Sequence, residues 1–223
     1  MSGDNYGKRR VGYVNTTQSY CWGDKRDSHS TRYLWPEVEQ LLRSGEDISR
    51  VLDLGCGNGN MTRRVKEAGF DTIGLEPDDD GIQIAKQEHP DIPFEKLGVG
   101  DDPGEHQAAW DAVIACEVVE HLFDPFQLPR FAAKVLRPGG RLIVTTPYHG
   151  YLKNLALAVR GQWGRHLQPL RNGGHIKFFA VDSLTKLLNM EGFEVVDVRG
   201  AGRPWPFWAS MIVTGQLTGN ADE

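Results

Sequence analysis

The run Val51-Leu-Asp-Leu-Gly-Cys-Gly-Asn-Gly-Asn60 sets Gly55, Gly57 and Gly59 between a short apolar stretch and a helical pattern. A strand that turns into a helix through glycines suits a ligand in two ways. The missing Cβ atoms let it approach the backbone, and the first helical turn offers N–H groups with no partner inside the helix. Such turns also serve nicotinamide and flavin nucleotides, or no ligand at all, so the segment alone names nothing. Glu76 follows about twenty residues later, closing the apolar run Thr72-Ile-Gly-Leu-Glu76. A carboxylate there can accept hydrogen bonds from both hydroxyls of a ribose. Further along stand His121, His149 and His175. Imidazole exchanges a proton near neutral pH; taken singly each reads first as a surface or packing histidine, and at least one of the three is expected to face an acceptor.

These residues need elements that hold them. Helical spacing of Leu34, Val38, Leu41 and Leu42 predicts a helix over 31–43. Strand and helix signals then alternate. Strands are expected at Arg50–Leu54, Thr72–Glu76, residues 93–99, Trp110–Cys116 and Arg141–Thr146, with helices near Asn60–Ala68, Asp78–Gln87 and Arg130–Leu136. Residues 151–163 read as an extra helix with an apolar stripe, either a pocket lid or a membrane-surface helix, the lid being preferred. Asp182 can cap a later helix that Gly192 ends. The last two strands, Phe193–Val198 and Ala209–Thr214, are joined by Arg203-Pro-Trp-Pro-Phe-Trp208, too short for a helical crossover. They must therefore pair antiparallel. The expected fold is α/β: a Rossmann-like three-layer sandwich around a seven-stranded, mostly parallel sheet with a reversed last strand.

The 223 residues are 39% hydrophobic and 25% charged, which suits one domain over 1–223. Within it we expect an N-terminal arm and helix (1–45), a core (46–147), an inserted lid (148–180) and a C-terminal helix and strand hairpin (181–223). A net charge of −5 disfavours nucleic acid as a partner. Cys21, Cys56 and Cys116 form no Cys-x-x-Cys pair and read as free thiols. No apolar run suits a signal peptide or a membrane span. A cytoplasmic protein with at most peripheral membrane contact is expected.

The glycine segment resembles the first motif of class I S-adenosylmethionine-dependent methyltransferases. Gly74-Leu-Glu-Pro77 looks like their second-strand acidic motif. Trp110-Asp-Ala-Val-Ile-Ala-Cys-Glu-Val-Val-Glu-His-Leu122 resembles the fourth-strand motif, and Leu136-Arg-Pro-Gly-Gly-Arg-Leu-Ile-Val-Thr-Thr-Pro147 the helix-to-strand motif. The resemblance covers residues 50–147. It implies that Asp53, Gly55, Cys56 and Gly57 line the methionine end and ribose of S-adenosylmethionine, that Glu76 beside Pro77 holds the ribose hydroxyls, and that Cys116 and Glu117 lie by the sulfonium. Asp101 or Asp102 would touch adenine or merely form a turn. Arg32 would pair with the cofactor carboxylate or lie on the surface.

Within that family the chain is similar to the O-methyltransferases of ubiquinone biosynthesis, through Cys116-Glu-Val-Val-Glu-His121, Thr146-Pro-Tyr-His149 and Gly174-His-Ile-Lys-Phe-Phe179. This implies O-methylation of a small molecule, phenolic, sugar or lipid-linked, with S-adenosylhomocysteine as product and His121, His149 or His175 as base. In those enzymes the Glu-x-x-Glu-His group is associated with a divalent metal such as Mg2+. The matching positions are Glu117, Glu120 and His121. Related enzymes carry Glu-His here without a known metal, and the metal-free reading is preferred. The chain departs from the subfamily where Ile176 follows His175 and in Tyr20-Cys-Trp-Gly-Asp24. Two other readings are a catalytically silent S-adenosylmethionine-binding regulator and a nicotinamide-dependent dehydrogenase.

Overall fold

A computed structural model of the chain describes residues 29–45, 47–167 and 174–218. The aromatic arm with Tyr20 and Cys21 lies outside them.

Seven strands form one sheet: β1 (Arg50–Leu54), β2 (Asp71–Leu75), β3 (Phe94–Glu95), β4 (Trp110–Cys116), β5 (Leu136–Pro147), β6 (Phe193–Ala201) and β7 (Ser210–Leu217). Their order is β3-β2-β1-β4-β5-β7-β6. The first five pair parallel, and β7 runs antiparallel to both β5 and β6. The expected α/β architecture with its reversed last strand is the one observed.

Alternation along the central strands builds two cores. Leu52, Leu54, Val113, Ala115, Leu142 and Val144 share one cluster, which Phe131 and Val135 of α4 (Gln127–Val135) and Leu184 and Leu188 of α7 (Val181–Met190) complete. Val51, Ala112, Ile114 and Ile143 point the other way, into a cluster with Leu34, Val38 and Leu41 of α1 (His29–Ser44) and Met61 and Val65 of α2 (Asn60–Glu67). Side chains two apart share a face, so these near-continuous apolar runs bury both faces beneath helices. α3 (Asp79–Glu88) follows β2. Asp78 caps it by accepting the Gly81 amide at 3.0 Å.

The differences from expectation are local. β3 is two residues rather than seven, pairing only Gly74 with Phe94 and Leu75 with Glu95. Ser183, not Asp182, closes the start of α7: its hydroxyl oxygen accepts the Ala180 amide at 3.0 Å. The extra helix divides into α5 (Tyr151–Val159) and α6 (Trp163–Leu167), with Gly161 at φ 61° between them. α5 has no fully buried residue; Lys153, Asn154, Ala156 and Leu157 are half-buried and its other residues are exposed. Among the described residues no helix is long and apolar enough to cross a membrane.

Candidate functional site

The carboxyl ends of β1, β2, β4 and β5 share one sheet edge. From β1 the chain moves outward to β2 and β3, then returns to lay β4 on the other side. Open parallel sheets take ligands in the crevice at such a reversal.

Gly55 leaves β1 at φ 76°, and a Cβ there would stand 2.6 Å from Val118 Cγ2. Only glycine satisfies both constraints. The loop then folds over the tip of β2, where the Gly55 and Cys56 amides both donate to Leu75 O, at 2.8 and 3.0 Å. This brings the Gly57 amide 2.8 Å from Glu76 Oε2, while the Asp78 amide reaches Oε1 at 2.9 Å. Glu76 is buried. Burial raises its pKa, and the two amides oppose that rise. Two donors use half the acceptor capacity of a carboxylate, leaving room for a diol.

Asp53 lies beneath the loop, 1% exposed, accepting Thr62 Oγ1 at 2.7 Å. Burial pushes it up to about 7 against that bond, and the nearby Glu76 charge adds to the rise. Burial also pushes the Cys56 and Cys116 thiols up, as suits free, unreactive cysteines. Pro77 is exposed. Asp101 accepts the Gly98 amide at 2.7 Å and Asp102 the Gly104 amide at 3.0 Å, so both close turns. Arg32 is exposed on α1.

Glu117 follows β4 in the left-handed region, at φ 58°. Its amide meets Thr145 O and Oγ1, both at 3.1 Å, and Thr145 Oγ1 also lies 3.1 Å from Glu117 Oε1. Burial raises Glu117 to about 7 against the Ser210 and Thr145 hydroxyls and the Lys153 ammonium. Ser210 Oγ also meets Tyr33 Oη at 2.9 Å, and burial followed by the Glu117 charge pushes that phenol to about 12. Lys153, on α5, donates to Tyr148 O at 2.7 Å and to Ala209 O at 3.5 Å. The sequence did not single out Tyr33, Thr145 or Ser210. Tyr33 adjoins Arg32, but which α1 residue faces the sheet edge depends on helix rotation, and Tyr33 is the one that reaches it.

A second knot lies one turn on. Glu120 is 1% exposed, and neither carboxylate oxygen has a hydrogen-bond partner among the described residues. Burial, then the Glu117 charge, drives its pKa up; its own amide and the nearby Thr146 hydroxyl, though outside good hydrogen-bond geometry, oppose the rise. His175 Nε2 stands 4.0 Å from Glu120 Oε1, and the His121 and His175 rings meet edge-on at 4.9 Å. His149 is buried, its ring edge-on to Phe178 at 5.1 Å. The expected set Glu117, Glu120 and His121 is not what comes together: ligand atoms of Glu120, His121 and His175 lie within 4.8 Å of one another, while Glu117 is engaged by Thr145.

A glycine loop clasped to the acid of β2, on a sheet whose reversed strand lies between β5 and β6, defines the class I S-adenosylmethionine-dependent methyltransferases. The chain belongs to the family described as a methyltransferase domain, which its residues 26–198 match. The ubiquinone biosynthesis O-methyltransferase of Dinoroseobacter shibae is 30% identical over 187 residues, which are 78% of this chain and 73% of that protein. The S-adenosylmethionine-dependent methyltransferase from Mesorhizobium loti superposes with TM-score 0.63 at 20% identity, over 82% of this chain and 96% of that one. The [4+2]-cyclase SpnF does so with 0.65 at 19%, over 86% and 84%. Likeness at that level concerns the fold alone.

Proposed function

We propose that the protein moves the methyl group of S-adenosylmethionine onto an oxygen of a small molecule, releasing S-adenosylhomocysteine. The observation that carries the reading is the Gly57–Glu76 clasp at the sheet edge that also bears His149 and the His121–His175 pair. The 30% identity to an O-methyltransferase supports oxygen as the acceptor and a phenol as the first candidate. In this reading Glu76 receives the ribose hydroxyls and Gly55, Cys56 and Gly57 bring the backbone against the nucleoside. Asp53, Cys116 and Glu117 flank the methionine and sulfonium, and Asp101 offers its turn to adenine beside Pro77.

The reaction is an in-line displacement. A lone pair of the acceptor oxygen forms the new C–O bond as the C–S bond breaks and its electrons return to sulfur. Holding oxygen, methyl and sulfur in line supplies much of the acceleration. The hydroxyl proton must leave, and His121, His149 and His175 offer imidazoles that can accept it.

A labelled-methyl screen over phenols, sugars, lipid-linked glycans and amines tests this, run with and without chelator. Transfer to a hydroxyl is expected, and joint replacement of His121, His149 and His175 by alanine should reduce it at least about 100-fold while S-adenosylhomocysteine still binds. Turnover of amines alone, or full activity in the triple variant, contradicts the reading. Donor binding without any turnover would instead support the silent regulator.

A further inference from the structure

We infer that Tyr33 and Ser210 are positioning residues for Glu117: the phenol on α1 donates to Ser210, and the Ser210 hydroxyl in turn points its own proton at the carboxylate that faces the sulfonium of S-adenosylmethionine. Only the mention of the sulfonium rests on the proposed function. A serine hydroxyl has one proton and two acceptor sites. Tyr33 Oη lies 2.9 Å from Ser210 Oγ, where either atom can be the donor. If Ser210 gives its proton to Tyr33, only the Thr145 hydroxyl is left for Glu117 among the described residues. If Tyr33 donates instead, both protons run toward the carboxylate. The second arrangement is favoured, because a carboxylate only accepts and draws the stronger, charge-assisted bond. The phenol always has a proton to give, since burial and then the Glu117 charge push it to about 12.

Three elements converge on this chain of hydroxyls. In the β5–β7 pairing Thr145 stands opposite Ile212 and Pro147 opposite Ser210, so the Thr145 and Ser210 side chains share a face on a diagonal. α1 covers that face, where Ile143 and Ile212 pack with Leu34 and Val38. Cys116 pairs with Thr145, which sets Glu117 at the end of β4 beside both residues, its backbone turned to φ 58°. Thr145 Oγ1 meets Glu117 Oε1 at 3.1 Å, and the Ser210 hydroxyl also favours the ionised carboxyl. Lys153 faces Glu117 too, but it directs its hydrogen bonds to Tyr148 O and Ala209 O, so orientation falls to the hydroxyls. Ser210 is 1% exposed, which gives water little access to the place Tyr33 takes. The β6–β7 connection is shaped around the tyrosine ring. Gly202 has φ 80°, and a Cβ on it would stand 3.0 Å from Tyr33 Cδ2. His29 closes on the ring edge-on at 5.5 Å.

Calorimetry with S-adenosylmethionine and S-adenosylhomocysteine tests this, because only the first carries the sulfonium charge. Tyr33→Phe keeps the ring and removes the proton. It should weaken S-adenosylmethionine about three- to tenfold and S-adenosylhomocysteine less than about twofold, while the variant still unfolds cooperatively. Ser210→Ala should do the same. The double variant should bind no more weakly than Ser210→Ala alone, because both residues act through one proton. In Glu117→Gln, adding Tyr33→Phe should leave the ratio of the two affinities where it was. A contact that merely fastens α1 to β7 would weaken both ligands alike. That result, additive losses in the double variant, or a ratio that still shifts without the Glu117 carboxylate would overturn the inference and leave the methyltransferase reading intact. Wild-type protein that binds neither ligand would refute that reading and this inference with it.

Discussion

Asp53 and Glu117 carry the clearest consequence at the scale of single residues, because each is held near 7 by burial. In the ligand-free protein both are partly protonated around neutral pH. A sulfonium cation placed between them favours the ionised forms. Binding should therefore release protons, and S-adenosylmethionine should bind more tightly as pH rises from about 6 to 8. S-adenosylhomocysteine has no sulfonium charge and should show a weaker trend. Calorimetry in buffers of different ionisation enthalpy reads the proton count directly; equal counts for the two ligands would refute this placement of the acids. Stability carries the opposite sign. The folded pKa of Asp53 is raised from 3.8 to about 7, so its contribution is fully present below 3.8 and is lost as pH rises through that window. At about 1.4 kcal/mol per unit the ceiling is about 4 kcal/mol. Asp53→Asn should raise the denaturation midpoint relative to wild type at pH 8 and do so far less at pH 4.

Elements were legible in the sequence where the pattern that makes them is local. β1 and β4 run over the residues expected of them because their apolar stretches are dense, each broken by a single aspartate, Asp53 in β1 and Asp111 in β4. The glycine loop and Glu76 were legible for the same reason, standing 19 positions apart at Gly57 and Glu76. Tyr33 and Ser210 are 177 positions apart and meet only because β7 pairs against β5, which no local pattern announces. His175 was visible as a titratable residue, but its meeting with Glu120 depends on how residues 174–177 dock. The inserted helix was legible as an element from its apolar spacing. Tyr151, Leu152, Leu155 and Val159 are exposed, Ala156 and Leu157 are half-buried, and Lys153 moors the helix through the main-chain oxygens of Tyr148 and Ala209. Lys153→Met should loosen that mooring and raise KM for the acceptor. It should also remove a cation beside Glu117 and so move the pH midpoint of donor binding upward. Lys153→Arg should largely restore both. An unchanged KM together with an unchanged midpoint would remove Lys153 from the account.

At the scale of the molecule, two cores clamp one sheet, and the ligand edge is the part of it left for chemistry. A ligand gripped by the native edge must stabilise the whole chain, by about 2.7 kcal/mol at one hundred times Kd. S-adenosylhomocysteine should therefore raise Tm, while a nicotinamide dinucleotide at the same concentration should not. Both claims depend on the acid at the tip of β2. The most direct measurement is calorimetric binding of S-adenosylhomocysteine to wild type, Glu76→Ala and Glu76→Gln, each checked for a cooperative unfolding transition. Two charge-assisted hydrogen bonds are at stake, so the alanine variant should lose roughly 100-fold in affinity or more, with glutamine in between. Folded variants that bind as tightly as wild type would contradict the account.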